Sequence, residues 1–81
     1  MEKPSKIVIA FFTANVMDWA KAYHTPYNQG YVKAVKLIPT AHYDMEDKAW
    51  CCSAKFGEDL INTVKRFFPE IPLDIQEYRA K

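Results

Sequence analysis

The chain of 81 residues has room for one small domain. It is 49% hydrophobic and 15% aromatic, which excludes a disordered chain, and its net charge of +1 excludes the globally cationic surface of a dedicated nucleic-acid binder. No apolar run reaches the ~18 residues that a transmembrane helix requires, and no export signal is evident. We therefore expect a cytoplasmic protein whose two cysteines are reduced.

The first half of the chain predicts two strands and a helix. Residues 6–13 are rich in β-branched and aromatic side chains, which is typical of a central strand. Residues 16–24 place aromatic side chains two and four positions apart, which favours a second strand over a short helix. A loop follows, and Asn28 is the predicted N-cap of a helix over residues 29–38 that Pro39 ends.

The second half predicts a hairpin, a helix and a last strand. Residues 42–43 and 48–54 form the two hairpin strands, with a turn over residues 44–47. A second helix covers residues 55–68, and an edge strand follows near Pro72. The order β-β-α-β-β-α-β predicts a single α+β domain over residues 1–81, in which two helices of about 10 to 14 residues cover one face of a small, mostly antiparallel sheet.

Alternation along the hairpin assigns its large and sulfur-bearing side chains to two faces. We predict Trp50 and Cys52 in the core and Cys51 on the sheet surface, although an exposed Trp50 could stack on a nucleobase. Adjacent cysteines on opposite faces, without a second cysteine pair, predict no metal site. Asp44, Glu46 and Asp47 are predicted to shape the turn and to keep it hydrated.

Nine residues in the middle of the chain form a series of short motifs: Pro26, Tyr27, Lys36, Ile38, Pro39, Tyr43, Asp44, Lys48 and Trp50. The series resembles the HARP-like domain, which lies beside the motor in annealing helicases and in related phage and bacterial helicases. Asn28 departs from the pattern, since the family usually has Asp there. The resemblance implies binding of branched or single-to-double-strand DNA together with a helicase. The chain has no Walker-type phosphate-binding motif, so no ATP-driven activity is implied.

The lysines supply the candidate binding residues. Residues 19–42 contain three lysines and no acidic residue. Lys33 and Lys36 fall on the polar side of the predicted helix, where they can contact phosphates. Lys48 and Tyr43 complete the predicted nucleic-acid-binding set, although Lys48 could instead form a surface ion pair with Asp44.

The residues show no enzyme signature and predict no catalytic residue and no cofactor. Two functions from different classes stay open. One is a non-enzymatic, stand-alone nucleic-acid-binding accessory domain, phage-encoded, that acts with a helicase or with a DNA repair or replication complex. The alternative is a protein-interaction module, without DNA binding, that self-assembles or inhibits a partner protein. The resemblance and the acid-free segment favour the first, and the nearly balanced charge favours the second. Neither implies a membrane partner.

Overall fold

A computed structural model describes residues 4–79. Within them the chain forms one five-stranded sheet in the order β3-β4-β2-β1-β5. Strand β5 runs parallel to β1, and the other pairs are antiparallel. The strands are β1 (Ile7–Ala14), β2 (Met17–Tyr23), β3 (His42–Asp44), β4 (Ala49–Ser53) and β5 (Leu73–Tyr78), and the helices are α1 (Gln29–Val35) and α2 (Gly57–Phe67), which a short 3₁₀ turn (Ala54–Phe56) precedes. The predicted α+β class, the element order and the edge position of the last strand are confirmed.

One face of the sheet carries the core. The alternating residues Ile7, Ile9 and Phe11 of β1 point toward both helices, which bury Val35 and Leu60 against them. Helix α2 begins very close to the sheet. The close approach requires glycine at position 57, since a Cβ atom there would overlap the Phe11 ring. The two helices therefore lie on one face, as predicted, and leave the other face uncovered by any described helix.

Strands β1 and β2 are joined by a two-residue turn. Asn15 and Val16 have φ angles of 54° and 59°, which is the left-handed pair of a type I′ turn. Asn tolerates this conformation, whereas the β-branched, fully exposed Val16 does not favour it. The right-handed twist of the paired strands imposes the turn type, so Val16 adopts a sterically unfavourable backbone conformation.

Helix α1 is shorter than predicted, with seven residues instead of ten. The N–H groups of Leu37 and Ile38 bond to the carbonyls three residues earlier, on Ala34 and Val35, both at 3.1 Å. The chain tightens here because Pro39 disfavours the α conformation at the residue before it. Helix α2 has 11 residues, within the expected range.

Cys51 is not on the sheet surface, and that prediction was wrong. It lies on the face opposite Cys52, as alternation requires, yet it is only 5% exposed. Its neighbours across the sheet are Lys21 on β2 and His42 on β3. Both thiols are free, and burial raises the pKa of Cys52 to about 11. No helix among residues 4–79 has the length and apolar character to span a membrane.

Candidate nucleic-acid interface

A cleft of about 290 Å³ lies between the β3–β4 hairpin and helix α1 with the loop before it. We call it the aromatic cleft, because half of its lining residues are Tyr or Trp and none is acidic. Its lining residues are Thr25, Pro26, Tyr27, Tyr31, Val32, Tyr43, Lys48 and Trp50. It lies on the helix-covered face of the sheet, at the edge formed by β3.

The wall formed by α1 is fixed by a side-chain cap. The Asn28 side-chain oxygen accepts a hydrogen bond from the Tyr31 N–H at 3.0 Å, which confirms the predicted N-cap. This bond defines where the helix begins and so directs Tyr31 inward. Tyr27, in the loop just before the cap, stays 84% exposed at the cleft.

The wall formed by the hairpin is a pair of aromatic rings. Tyr43 and Trp50 are direct partners across β3 and β4, and their rings meet edge to face with centroids 5.5 Å apart. Trp50 packs against the core, as expected, but it is only half-buried and also lines the cleft. Tyr43 is 46% exposed. A large aromatic surface is therefore open to a ligand.

Lys48 occupies a strained position in the turn of the hairpin, directly before β4. Its φ angle is 53°, in the left-handed region, where an L-residue pays about 1–2 kcal/mol relative to the ordinary conformation. Its side chain is exposed, and among residues 4–79 no carboxylate pairs with it. Lys48 is the last residue of the turn, so the turn accounts for its left-handed conformation, as the β1–β2 turn does for Val16.

Asp44 and Asp47 of the turn bind Lys21 instead of Lys48. The Lys21 Nζ atom donates to one carboxylate oxygen of each aspartate at 2.7 Å, and its side chain is only 8% exposed. These three residues form what we call the Lys21 cluster. The alternative ion pair between Lys48 and Asp44 therefore does not form. The two aspartates belong to the turn and also neutralise Lys21.

The Lys21 cluster lies on the sheet face opposite the aromatic cleft. Asp44 follows Tyr43 in β3, so alternation sends its side chain to the other face. Its second carboxylate oxygen accepts the N–H groups of Glu46 and Asp47, at 3.0 and 3.3 Å, and thereby holds the turn. The cluster holds the hairpin from the sheet face opposite the cleft. Its two carboxylates are paired with Lys21 and not with Lys48.

The hydrogen bonds within the Lys21 cluster shift the pKa values of Lys21 and Asp44. Burial alone would lower the pKa of Lys21, but hydrogen bonds to Asp44 and Asp47 outweigh it and raise that pKa. The hydrogen bond from Lys21 also lowers the pKa of Asp44 below its ordinary 3.8. The folded-state pKa of Asp44 is thus depressed. Its contribution to stability is present above the ordinary value and is lost as the pH falls through the lowered one.

Lys33 lies in α1 and Lys36 is the C-cap of that helix, and both side chains are exposed. Lys36 follows the cleft residue Val32 by four positions, so it lies one turn further along the same flank of the helix. Lys33 faces away from the core. Neither forms an ion pair within the part of the chain described. Of the three lysines in the acid-free segment, only Lys21 is neutralised.

The Tyr31 hydroxyl is a feature that the sequence analysis missed. The residue is 1% exposed, its ring packs against the Phe68 ring with centroids 5.2 Å apart, and its hydroxyl is buried from solvent. Burial raises the pKa of Tyr31 to about 12, although a hydrogen bond with Thr25 offsets part of the shift. The only signal in the sequence is a Tyr where Phe would fill the same apolar position.

Comparison of the chain with protein-family models, curated proteins and solved structures gives no match. The resemblance to the HARP-like domain therefore stays a prediction from its motif residues. Five of those residues line the aromatic cleft: Pro26, Tyr27, Tyr43, Lys48 and Trp50. Among residues 4–79, no three His, Cys, Asp or Glu side chains are grouped to hold a metal ion.

Proposed function

We propose that this protein is a non-enzymatic nucleic-acid-binding domain whose aromatic cleft contacts bases while Lys33, Lys36 and Lys48 contact phosphates. The observation that supports it best is the meeting of exposed aromatic rings with an unpaired lysine in one acid-free cleft. Aromatic side chains stack on bases and lysines neutralise the backbone, which together make a single-strand site. In this proposal the domain is a cytoplasmic accessory factor, phage-encoded, that acts with a helicase or with a DNA repair or replication complex.

The net charge of +1 is compatible with this proposal, because the charges are segregated. Asp44 and Asp47 are bound to Lys21 on the far face of the sheet. The cleft itself is lined by one lysine and no acid. Phosphate affinity depends on the charges that the backbone meets locally, so a nearly neutral domain can still present a cationic rim.

Titration of labelled single-stranded, duplex and forked DNA, followed by fluorescence anisotropy at two salt concentrations, tests the proposal. Three lysine–phosphate contacts predict a slope of log affinity against log salt of about −2 on single strands, since each contact contributes about 0.7. Absence of binding at low salt, or binding that is independent of salt, would contradict the proposal.

Lys48→Gly separates the role of this lysine from its conformation. Glycine removes the left-handed strain, so the free energy of unfolding should rise by about 1 kcal/mol after allowance for glycine's own entropy cost. Affinity for DNA should nevertheless fall, because a phosphate contact is lost. Val16→Gly is the matched control, since it relieves the same kind of strain at the β1–β2 turn.

Denaturant unfolding and anisotropy on both variants give the result. We expect both proteins to be stabilised and only Lys48→Gly to bind DNA more weakly. Equal DNA affinity in the two variants would remove Lys48 from the interface.

The open edge of β5 favours the alternative, a protein-interaction module. Within residues 4–79, β5 pairs only with β1, and beside it lies an apolar groove. The groove is lined by Lys65, Phe68, Pro69, Ile71, Leu73 and Ile75. Ile75 is 52% exposed, and an uncovered edge strand with apolar side chains can accept a strand of a second chain.

Analytical ultracentrifugation without DNA tests self-assembly at this edge. A dimer in the parent that Ile75→Lys converts to a monomer would support the alternative. A monomeric parent would argue against a homo-oligomer.

A further inference from the structure

We infer that Lys21 is a positioning residue of the aromatic cleft, although it lies on the opposite face of the sheet. By binding two aspartates of the β3–β4 hairpin, it fixes the hairpin end that presents Tyr43 and Lys48 to nucleic acid. This inference rests on the proposed function and adds to it the residue that keeps one wall of the cleft in its binding geometry. Lys21 itself contacts no ligand.

The hairpin that forms this wall is short and lies at the edge of the sheet. Strand β3 has three residues and, within residues 4–79, pairs with β4 alone. A two-stranded pairing of this length has little stability by itself. The start of the hairpin has its own anchor, because the Ser53 N–H donates to the Thr40 hydroxyl oxygen at 2.9 Å. The end that carries Tyr43 and Lys48 lies farther from this anchor and needs another contact.

Lys21 supplies that contact by reaching across a strand. Lys21 and Cys51 are direct partners on β2 and β4, and β4 separates β2 from β3. Neighbouring strands lie about 4.8 Å apart, so β2 and β3 are roughly 10 Å apart. The long lysine side chain crosses β4 and donates to Asp44 and to Asp47, at 2.7 Å in each case. The edge strand and its turn are thus bound to a strand nearer the centre of the sheet.

This contact sets the direction of the cleft residues. Tyr43 directly precedes Asp44 in the chain, and Lys48 directly follows Asp47. Successive side chains of a strand point to opposite faces, so holding Asp44 on one face turns Tyr43 to the other. Tyr43 there meets Trp50 edge to face. Side chains that are held in the binding geometry beforehand lose less entropy when the ligand arrives, so the contact should raise affinity.

The triple variant Lys21→Met, Asp44→Asn, Asp47→Asn tests the inference. It should fold, because methionine fills the space of the lysine and no buried charge is left unpaired. The net charge rises from +1 to +2, since two negative charges and one positive charge are removed. General electrostatics therefore predicts tighter DNA binding. We expect instead an affinity for single-stranded DNA at least about fivefold lower, the low end of the value of one base-stacking contact.

Glu46→Gln is the matched control for the triple variant. This exposed residue lies in the same turn, forms no ion pair among residues 4–79, and its replacement gives the same net charge of +2. It should bind single-stranded DNA at least as tightly as the parent does. Denaturant unfolding gives the stability of both proteins. If Lys21 served stability alone, a triple variant with near-parent stability would also have near-parent affinity.

Asp47→Ala and Glu46→Ala form a second pair, which decides the result if the triple variant does not fold. Both change the net charge equally, and only Asp47→Ala removes a bond to Lys21, which keeps its bond to Asp44. We expect weaker binding in Asp47→Ala alone.

A parent that binds DNA, with the triple variant and Asp47→Ala binding as tightly as their controls, would overturn the inference while the proposed function stands. A parent that binds no nucleic acid at low salt would overturn the proposed function and this inference together.

Discussion

Replacing Asp44 and Asp47 together by Asn is expected to lower the free energy of unfolding clearly more than a neutral double substitution at exposed acidic residues does, because Lys21 loses both counter-charges. Asn keeps the oxygen that accepts the turn N–H groups, so the change removes charge rather than turn geometry. The Lys21 ammonium, whose side chain is 8% exposed, then stays in the sheet without a counter-charge. Neutral amide oxygens and the rings of Phe12 and Tyr23, with centroids 5.4 and 5.8 Å away, then replace the two carboxylates around the ammonium.

Urea or guanidinium unfolding measures this loss, and two further proteins make the result interpretable. Adding Lys21→Met to the double variant should recover most of the stability, because an apolar side chain replaces the unpaired charge. Glu46→Gln with Glu58→Gln changes the net charge equally at two exposed positions and should cost no more than about 1 kcal/mol. Equal losses in the two double variants would show that the Lys21 cluster has no special role.

Reversing the charge of both lysines at the C-terminal end of α1, Lys33→Glu with Lys36→Glu, is expected to lower affinity for single-stranded DNA by about 25-fold at ~0.1 M salt. Each phosphate contact contributes about 0.7 of a power of ten under these conditions, and two contacts are lost. The salt slope should shrink by about 1.4 for the same reason. Folding should change little, because both side chains are exposed and unpaired among the described residues.

The matched control reverses two exposed lysines outside the proposed interface, Lys55→Glu with Lys65→Glu. Lys65 lies by the β5 groove and Lys55 in the 3₁₀ turn before α2. The control has the same net charge as the α1 double variant, so a general electrostatic effect would weaken binding in both. Weakening only in the α1 variant would place the phosphate contacts beside the aromatic cleft.

Local patterns were sufficient to predict the elements of this fold. The β-branched run of β1, the Asn28 cap and the apolar period of α2 each act within a few residues. The order of elements then left few arrangements, because a helix between strands must cover one face of the sheet. Helix α1 was predicted too long, because the effect of Pro39 on the turn before it was underestimated.

Long-range pairing explains what the sequence did not show. Lys21 meets its two aspartates 23 and 26 positions along the chain, so the contact depends on how β2, β4 and β3 align. The same alignment buries Cys51, which was expected at the surface. Residue type and spacing were enough to select the candidate binding residues, which are Lys33, Lys36, Lys48 and Tyr43. The burial of the Tyr31 hydroxyl could not be predicted in this way, since it is visible only once the core is packed.

The central claim, that nucleic acid enters the aromatic cleft, is tested most directly by the fluorescence of Trp50. Trp19→Phe leaves Trp50 as the single tryptophan, and Trp19 is paired with Phe12 and Ser53 on the sheet face away from the cleft. Titrating this variant with single-stranded DNA should quench Trp50 emission to saturation, with the same midpoint as the anisotropy of the labelled strand. Saturating anisotropy with unchanged Trp50 emission would contradict the claim, because the DNA would then be bound elsewhere.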